Sequence, residues 1–316
     1  MNNQPKHTIL ITTASFGTTN ALLIERLNQE GFCVETNPYR RKLTEEELTS
    51  LIEKYQPVVG IIAGVEPITR KVLQKATHLK VISRCGIGLD SVDLSAASEY
   101  GMIVTNTPDA PTIAVAELTL SMILSLLRRV HRSDSSIRKG GWERPMGNLL
   151  YGKTIGIIGC GRIGTYVAKL LSSFGCIVLA HDCFNPIKTD YYEQVTLDQL
   201  LNESDILTLH IPYTSENHHF IDREKLFLIK KGSVVINAAR GGLIDEDALY
   251  EAINCNHIAG AALDSFEIEP YSGKLITLDN VLLTAHIGSY AIEARSMMET
   301  QSVDNLLSQL KKQQGI

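Results

Sequence analysis

Short apolar runs alternate along the chain with segments whose apolar residues recur at helical spacing. In the first third this pattern predicts strands over residues 9–12, 58–63, 79–83 and 103–106, and helices over 19–29, 44–54, 69–76 and 94–100. The second of these helices opens with a capping box, Thr44-x-x-Glu47. Strands that alternate with helices in this way predict a parallel sheet covered by helices on both faces.

The same alternation returns over residues 152–287. It predicts strands over 154–158, 177–180, 206–210, 233–237, 260–263 and 281–284, and helices over 162–174, 197–202, 223–228 and 246–254. We therefore expect a second parallel α/β sheet, followed by a final amphipathic helix over 291–316.

Residues 112–130 lie between these two regions and are predicted to form the longest helix of the chain. Apolar residues occur on nearly all of its sides, so this helix must be buried, either in a core or against another subunit. Residues 138–150, with the sequence RKGGWERPMGNLL, are glycine-rich and are expected to be irregular.

A glycine-rich turn follows the strand at 154–158, in the pattern G-x-G-x-x-G. Gly159 allows the tight turn, Gly161 lets a pyrophosphate approach the backbone, and Gly164 lets the helix pack closely on the strand. Asp182 follows the next strand, at the position from which an acid binds the adenine-ribose diol. Its carboxylate would repel a 2′-phosphate, so the sequence favours NAD over NADP. A helix cap or a surface acid is the alternative role for Asp182.

The composition limits the kinds of partner. A net charge of −5 with 44% hydrophobic residues is ordinary for a globular protein, and 316 residues are enough for two domains. The sequence contains no basic patch that would indicate nucleic-acid binding. The apolar stretch over 118–127 is too short to cross a membrane. Six cysteines without C-x-x-C spacing, and an N-terminus without a signal-peptide pattern, predict a cytoplasmic protein.

His218-His219 has no third ligand at a matching spacing, so we predict a surface pair and no metal site.

Polar side chains stand at the ends of several strands in the second region. Arg240, Asp264 and His286 each come near the end of a predicted strand, and Glu269 lies in the loop after Asp264. A guanidinium suits a carboxylate substrate, and a histidine held by a glutamate suits proton exchange with an alcohol or ketone. Each residue alone could be structural, but together with the dinucleotide turn they indicate NAD-linked oxidation of a 2-hydroxy acid.

These motifs resemble the D-2-hydroxyacid dehydrogenase family, and its phosphoglycerate dehydrogenase branch most of all. The similarity covers about residues 58–300 and rests on SRCGIGLDSVDL, NTPDAPTIAVAELTL, KGGWERPMGNLLYGKTIGIIGCGRIG, NAARGGLIDEDAL, LDSFEIEP and TAHIGS. The resemblance implies a Rossmann NAD-binding domain over residues 106–288. It also implies a discontinuous, flavodoxin-like substrate domain over 1–105 and 289–316, and a homodimer formed through the 112–150 region.

The resemblance also implies site residues. The catalytic residues would be Arg240, Glu269 and His286. The cofactor contacts would be Gly159, Gly161, Arg162, Ile163, Gly164, Asp182, Ile211, Pro212, Ala238, Asp264 and Gly288. The substrate contacts would be Gly64, Val65, Cys85, Gly86, Ile87, Arg144 and Arg240. The reaction it implies pairs hydride transfer from NADH with protonation of a 2-oxo acid by His286.

The favoured substrate pair is 3-phosphoglycerate and 3-phosphohydroxypyruvate. The loop AGVEPIT lacks the arginine that phosphoglycerate dehydrogenases offer to the phosphate, although Arg144 and Arg84 could supply the charge. Ala285 replaces the usual proline before the histidine, and we expect no C-terminal serine-sensing domain. Glycerate/hydroxypyruvate, or another small D-2-hydroxy acid, is the alternative substrate. An NAD(H)-sensing, corepressor-like binding protein is the alternative of another class.

Overall fold

The computed structural model describes residues 7–18, 20–184 and 189–314. The predicted helix start at Thr19, and the last two residues of the predicted C-terminal helix, lie outside these ranges. The chain divides into two compact units, the first formed by residues 1–111 and 290–316 and the second by residues 112–289. Each unit contains a parallel sheet with helices on both faces, which confirms the predicted fold class.

The first unit contains a five-stranded sheet in the order β2-β1-β3-β4-β5. Its strands are β1 (Thr8–Ile11), β2 (Cys33–Thr36), β3 (Val58–Ala63), β4 (Val81–Arg84) and β5 (Ile103–Thr105). Its helices are α1 (Leu22–Gln29), α2 (Glu45–Lys54), α3 (Arg70–Lys75), α4 (Leu94–Glu99) and the C-terminal helix (Ile292–Gln314). The order 2-1-3-4-5 is that of flavodoxin-like folds.

Side chains that point alternately to the two faces of the sheet give this unit two separate cores. Ile9 and Ile11 join a cluster with α1 and the C-terminal helix, while Leu10 between them joins a cluster with α2, α3 and α4. Successive strand residues point to opposite faces, so both faces of a sheet covered by helices must be apolar. The capping box predicted at Thr44 and Glu47 is present at the start of α2.

The second unit contains a seven-stranded parallel sheet in the order β12-β11-β10-β9-β6-β7-β8. Its helices are α5 (Thr112–Leu127), α6 (Val130–Arg138), α7 (Arg162–Ser173), α8 (Leu197–Glu203), α9 (Arg223–Leu228) and α10 (Glu246–Asn254). Its strands are β6 (Thr154–Ile158), β7 (Ile177–His181), β8 (Glu193–Gln194), β9 (Ile206–Leu209), β10 (Val234–Asn237), β11 (Gly260–Leu263) and β12 (Val281–Leu283). The strand order reverses at β6, and ligands of such sheets bind beyond the carboxyl ends of the strands near that reversal.

The helix predicted over 112–130 is shorter than expected. It ends at Leu127, because Arg129 adopts a left-handed conformation (φ 52°), and α6 begins at Val130. With 16 residues it is also shorter than the 23-residue C-terminal helix. Buried side chains of α5 join the core of their own unit. No helix within the described ranges has both the length and the apolar character that a membrane span requires.

Two strands were not predicted, and several predicted ends are shifted by one or two residues. Both β2 and β8 lie at the edge of their sheets, and β8 has only two residues, both exposed. An edge strand buries little surface, so its sequence carries a weak apolar signal. Between 139 and 149 the chain forms neither helix nor strand, as the glycine content predicted.

Candidate active site

The glycine turn joins β6 to α7, and its three glycines meet different surroundings. Gly159 has a positive φ of 91°. A Cβ on Gly164 would lie 1.9 Å from the Gly159 carbonyl oxygen, whereas a Cβ on Gly161 would have no atom within 4 Å. No side chain caps the start of α7. The turn therefore offers open space beside a helix N-terminus, which is where a pyrophosphate binds.

Asp182 lies directly after β7 and is held against the glycine turn. Its Oδ2 accepts a hydrogen bond from the Cys160 backbone N–H at 2.7 Å, and its Oδ1 accepts one from the Phe184 N–H at 2.8 Å. Burial raises the pKa of the Cys160 thiol to about 12, so this side chain stays neutral. The acid and the glycine turn thus form one cradle whose shape and charge fit a dinucleotide with a free ribose diol.

Arg240 lies in a turn that begins where β10 ends. The buried Asn237 side chain closes this turn, because its Nδ2 donates to the Arg240 carbonyl at 2.8 Å and its Oδ1 accepts from the Ala239 N–H at 3.0 Å. A Cβ on Gly241 would lie 1.9 Å from the backbone carbon of Phe266. Glycine at 241 therefore lets the Arg240 turn pack directly on the backbone of the loop after β11.

That loop carries Glu269, whose carboxylate contacts His286. The His286 Nδ1 lies 3.0 Å from Glu269 Oε1 and 3.1 Å from Oε2. Glu269 Oε1 also accepts from the Phe266 backbone N–H at 3.1 Å, which fixes the carboxylate relative to its own loop. With Nδ1 turned to the glutamate, Nε2 is the ring nitrogen available for proton exchange.

Asp264, at the end of β11, holds the segment around His286. Its Oδ1 accepts from the Thr284 hydroxyl at 2.6 Å and from the Ile287 N–H at 2.8 Å, and its Oδ2 accepts from the Gly288 N–H at 2.8 Å. His286 itself has a positive φ of 53°. Such backbone persists where the surrounding contacts enforce it, and Asp264 supplies three of them. The sequence indicated a cofactor contact for Asp264 and gave no sign of this anchoring.

The structure brings the predicted residues of the second unit to one edge of its sheet. Two of these residues, Arg162 and Ile163, open α7. The others follow the carboxyl ends of parallel strands: Gly159, Asp182, Ile211, Pro212, Ala238, Arg240, Asp264, His286 and Gly288. Arg144 does not belong to this group, because it is exposed in the irregular segment between 139 and 149.

The predicted substrate residues of the first unit follow β3 and β4. The Gly64 N–H donates to Glu66 Oε1 at 2.9 Å, so this amide is already engaged, while Val65 is 44% exposed. Glu66 is buried, and its carboxylate also accepts a hydrogen bond from the Thr12 hydroxyl. The sequence did not single out Glu66, because only the fold brings the end of β1 beside it.

The loop after β4 contains Cys85, Gly86 and Ile87. Burial raises the pKa of the Cys85 thiol, which disfavours its thiolate form. The buried Arg84 guanidinium donates to the Cys85 carbonyl, and Gly86, with a φ of 149°, leaves room for it. The Asn106 side chain donates to the Ile87 carbonyl at 2.7 Å. Hydrogen bonds therefore hold this loop from both sides.

Comparison with known proteins gives the class. Residues 120–288 match the family described as D-isomer specific 2-hydroxyacid dehydrogenase, NAD binding domain. The chain therefore belongs to the D-isomer specific 2-hydroxyacid dehydrogenase family, and its second unit contains an NAD-binding domain.

The relatives are named for different activities. The chain is 44% identical to a D-3-phosphoglycerate dehydrogenase of Methanocaldococcus jannaschii over 82% of its own length, but it spans only 50% of that relative. It is 38% identical to a hydroxypyruvate reductase of Thermotoga maritima, covering 85% of this chain and 89% of that one. The crystal structure of the TT0316 protein from Thermus thermophilus superposes with a TM-score of 0.88 at 37% identity, over 96% of this chain and 97% of the other.

Proposed function

We propose that the protein is an NAD-dependent dehydrogenase that interconverts a D-2-hydroxy acid and the corresponding 2-oxo acid. The observation that carries this proposal is the contact between His286 and Glu269. Glu269 lies in the loop after β11, and the Arg240 turn packs on that loop. A cation for a carboxylate and a proton donor for a carbonyl oxygen are the two groups that the reaction needs beside a nicotinamide. The second unit would hold the cofactor.

Each side chain has a defined task in this proposal. Arg240 binds the substrate carboxylate through two parallel hydrogen bonds and polarises the adjoining carbonyl. His286 Nε2 donates a proton to the oxygen during reduction and removes it during oxidation, while Glu269 stabilises the protonated ring. Asp182 accepts from the adenine-ribose diol, and the start of α7 binds the pyrophosphate. Bound NAD supplies the hydride acceptor.

Replacing His286 tests the assignment. We expect His286→Gln to lower kcat by about 10²–10⁴, because proton transfer by a positioned side chain contributes about that factor. NADH affinity, measured by fluorescence titration, should stay unchanged. Glu269→Gln should lower kcat less, since Nε2 remains in place. A His286→Gln enzyme with normal turnover would refute the catalytic role.

For the substrate, we propose 3-phosphohydroxypyruvate first. The 44% identical phosphoglycerate dehydrogenase supports it, as do the exposed Arg144 and the guanidinium of Arg84 at the end of β4. Hydroxypyruvate is the second candidate, and the buried Glu66 favours it, because a carboxylate beside the Gly64–Val65 backbone disfavours a phosphate there. NADH consumption with both compounds, and with glyoxylate and pyruvate, distinguishes them. Activity with none of the four would favour the NAD(H)-sensing alternative.

We also propose that the protein is a cytoplasmic homodimer that associates through residues 112–150. The family resemblance supports this interface, and so does the exposure of several large apolar side chains there.

A further inference from the structure

Two consecutive histidines lie on the second unit, outside the groups given roles above. His218 and His219 follow a 3-10 turn at Ser215–Asn217, and their rings stack with centroids 3.8 Å apart. The sequence predicted a surface pair without a third ligand, but the structure places Glu267 beside both rings. His219 Nε2 lies 3.3 Å from Glu267 Oε2, and His218 Nε2 lies 3.7 Å from Oε1. One ligand atom from each residue fits within 4.8 Å of the others.

The Nδ1 nitrogen of each ring also lies near a side-chain oxygen. The Tyr213 hydroxyl lies 3.2 Å from His218 Nδ1, and Asp245 Oδ2 lies 4.0 Å from His219 Nδ1. Histidines that bind metals are usually held in this way, with one nitrogen toward the ion and the other toward an outer hydroxyl, carbonyl or carboxylate. Both Nε2 atoms here therefore turn toward the same carboxylate, and the Tyr213 hydroxyl holds the Nδ1 of His218 from the other side. Asp245, at 4.0 Å, places a negative charge near the Nδ1 of His219 without a hydrogen bond to it.

The backbone fixes this arrangement. His219 has a positive φ of 52°, and its N–H donates to the Gly242 carbonyl at 2.6 Å. The Glu267 N–H donates to Glu246 Oε1 at 2.8 Å, which ties the third ligand to the start of α10. Glu246 and Asp245 add negative charge around the two imidazoles, and this charge attracts a cation.

We propose that His218 Nε2, His219 Nε2 and the Glu267 carboxylate bind one divalent transition-metal ion of the Zn²⁺ class. Two imidazoles and one carboxylate suit Zn²⁺ better than Mg²⁺ or Ca²⁺, which prefer oxygen ligands alone. Water completes a four-coordinate site. The ion would join the segment at 218–219 to the loop after β11, and this inference does not depend on the proposed reaction.

Calorimetric titration of the full chain with ZnCl₂, in the absence of NADH, tests the proposal. We expect saturable binding of one Zn²⁺ per chain, and an affinity lower by at least about tenfold in His219→Asn, in His218→Asn and in Glu267→Gln. All three side chains are at least partly exposed, and circular dichroism of each metal-free variant confirms its fold.

Matched controls come from two other candidate ligand pairs in the described part of the chain. Glu269 with His286, and Cys183 with His181 (Sγ to Nε2, 3.3 Å), could also attract zinc. His286→Asn and Cys183→Ser should therefore leave the zinc affinity unchanged. Zinc binding that is lost in either control but kept in Glu267→Gln would overturn the site. The absence of saturable binding up to about 1 mM Zn²⁺, which corresponds to a binding free energy of about −4 kcal/mol, would overturn it as well.

Discussion

His210 directly follows β9, is half-buried, and packs on the glycine turn. Its Nε2 lies 3.0 Å from the Thr208 hydroxyl, and its Nδ1 is a buried nitrogen for which the described residues offer no hydrogen-bond partner. Burial lowers the pKa of this imidazole to about 3, so the ring is neutral at pH 7. The backbone carbonyl oxygen of His210 would lie 2.7 Å from a Cβ at Gly159, so His210 packs closely on the turn.

This depressed pKa predicts a pH-dependent stability. Below about pH 6.5 the unfolded chain binds a proton at His210 that the folded chain does not bind. The free energy of unfolding therefore falls as the pH falls from about 6.5 toward 3. Between pH 7.5 and 5.5 the wild type should lose about 1.4 kcal/mol more than His210→Gln. Urea unfolding at both pH values measures the difference, and an equal loss in the two proteins would contradict the prediction.

The glycines of the turn predict two separable defects. The Cβ added in Gly161→Ala would lie in open space, so the free energy of unfolding should stay nearly unchanged. NADH affinity should nevertheless fall at least about tenfold. Gly164→Ala meets the Gly159 carbonyl oxygen and should cost about 1–3 kcal/mol of stability. Urea unfolding and NADH titration of both variants check this. If Gly161→Ala bound NADH normally, the pyrophosphate would not lie at the turn.

At the scale of elements, the contact between the Arg240 turn and the loop after β11 is the feature on which the site depends. In Gly241→Ala the added Cβ would lie 1.9 Å from Phe266 carbon and 2.4 Å from Glu267 nitrogen, and both are backbone atoms that cannot rotate away. We expect a loss of about 1–3 kcal/mol in stability from this overlap.

Turnover in Gly241→Ala should fall by at least about tenfold, because small misplacement of positioned groups is costly. NADH affinity should be retained, which makes this variant the reverse of Gly161→Ala. Steady-state kinetics and NADH titration separate the two effects. Full activity in Gly241→Ala would show that the packing of these two loops does not position Arg240.

The sequence could predict those elements whose apolar pattern and end signals agree. The capping box at Thr44 and Glu47 and the glycines of the turn are local signals, and both are found in place. The break at Arg129 carries neither glycine nor proline, so periodicity alone extended α5 too far. The edge strand β2 buries too little surface to show an alternating pattern.

The site shows the same limit. Residues at strand ends could be predicted because parallel strands end at one edge of a sheet. Apart from the pairing of Glu269 with His286, contacts between distant segments could not be predicted. Glu267 reaches His219 across 48 residues through the pairing of β9, β10 and β11. Asp264 reaches Gly288 across 24 residues through the pairing of β11 with β12. Such contacts follow from the sheet order, which no local pattern encodes.

At the scale of the whole molecule, the second unit exposes large apolar side chains in one continuous stretch. Trp142 and Met146 are 79% and 88% exposed, and Leu149 and Tyr151 are exposed as well. Large apolar side chains exposed so near one another in the sequence favour the proposal of an interaction site there. Trp142, Met146 and Leu149 lie within residues 112–150, through which we propose that the protein dimerises, and Tyr151 directly follows them.

We therefore expect a particle of about twice 34.8 kDa by light scattering, and a mass near 34.8 kDa for the double variant Met146→Glu, Leu149→Glu. Two buried charges without partners disfavour association strongly. Trp142 is the only tryptophan, so its emission should shift to the red when the dimer dissociates and the indole meets water. Ile276→Glu, at an exposed apolar residue outside this stretch, is the matched control and should remain dimeric. A double variant that keeps the mass and the tryptophan emission of the wild type would place the interface elsewhere on the chain.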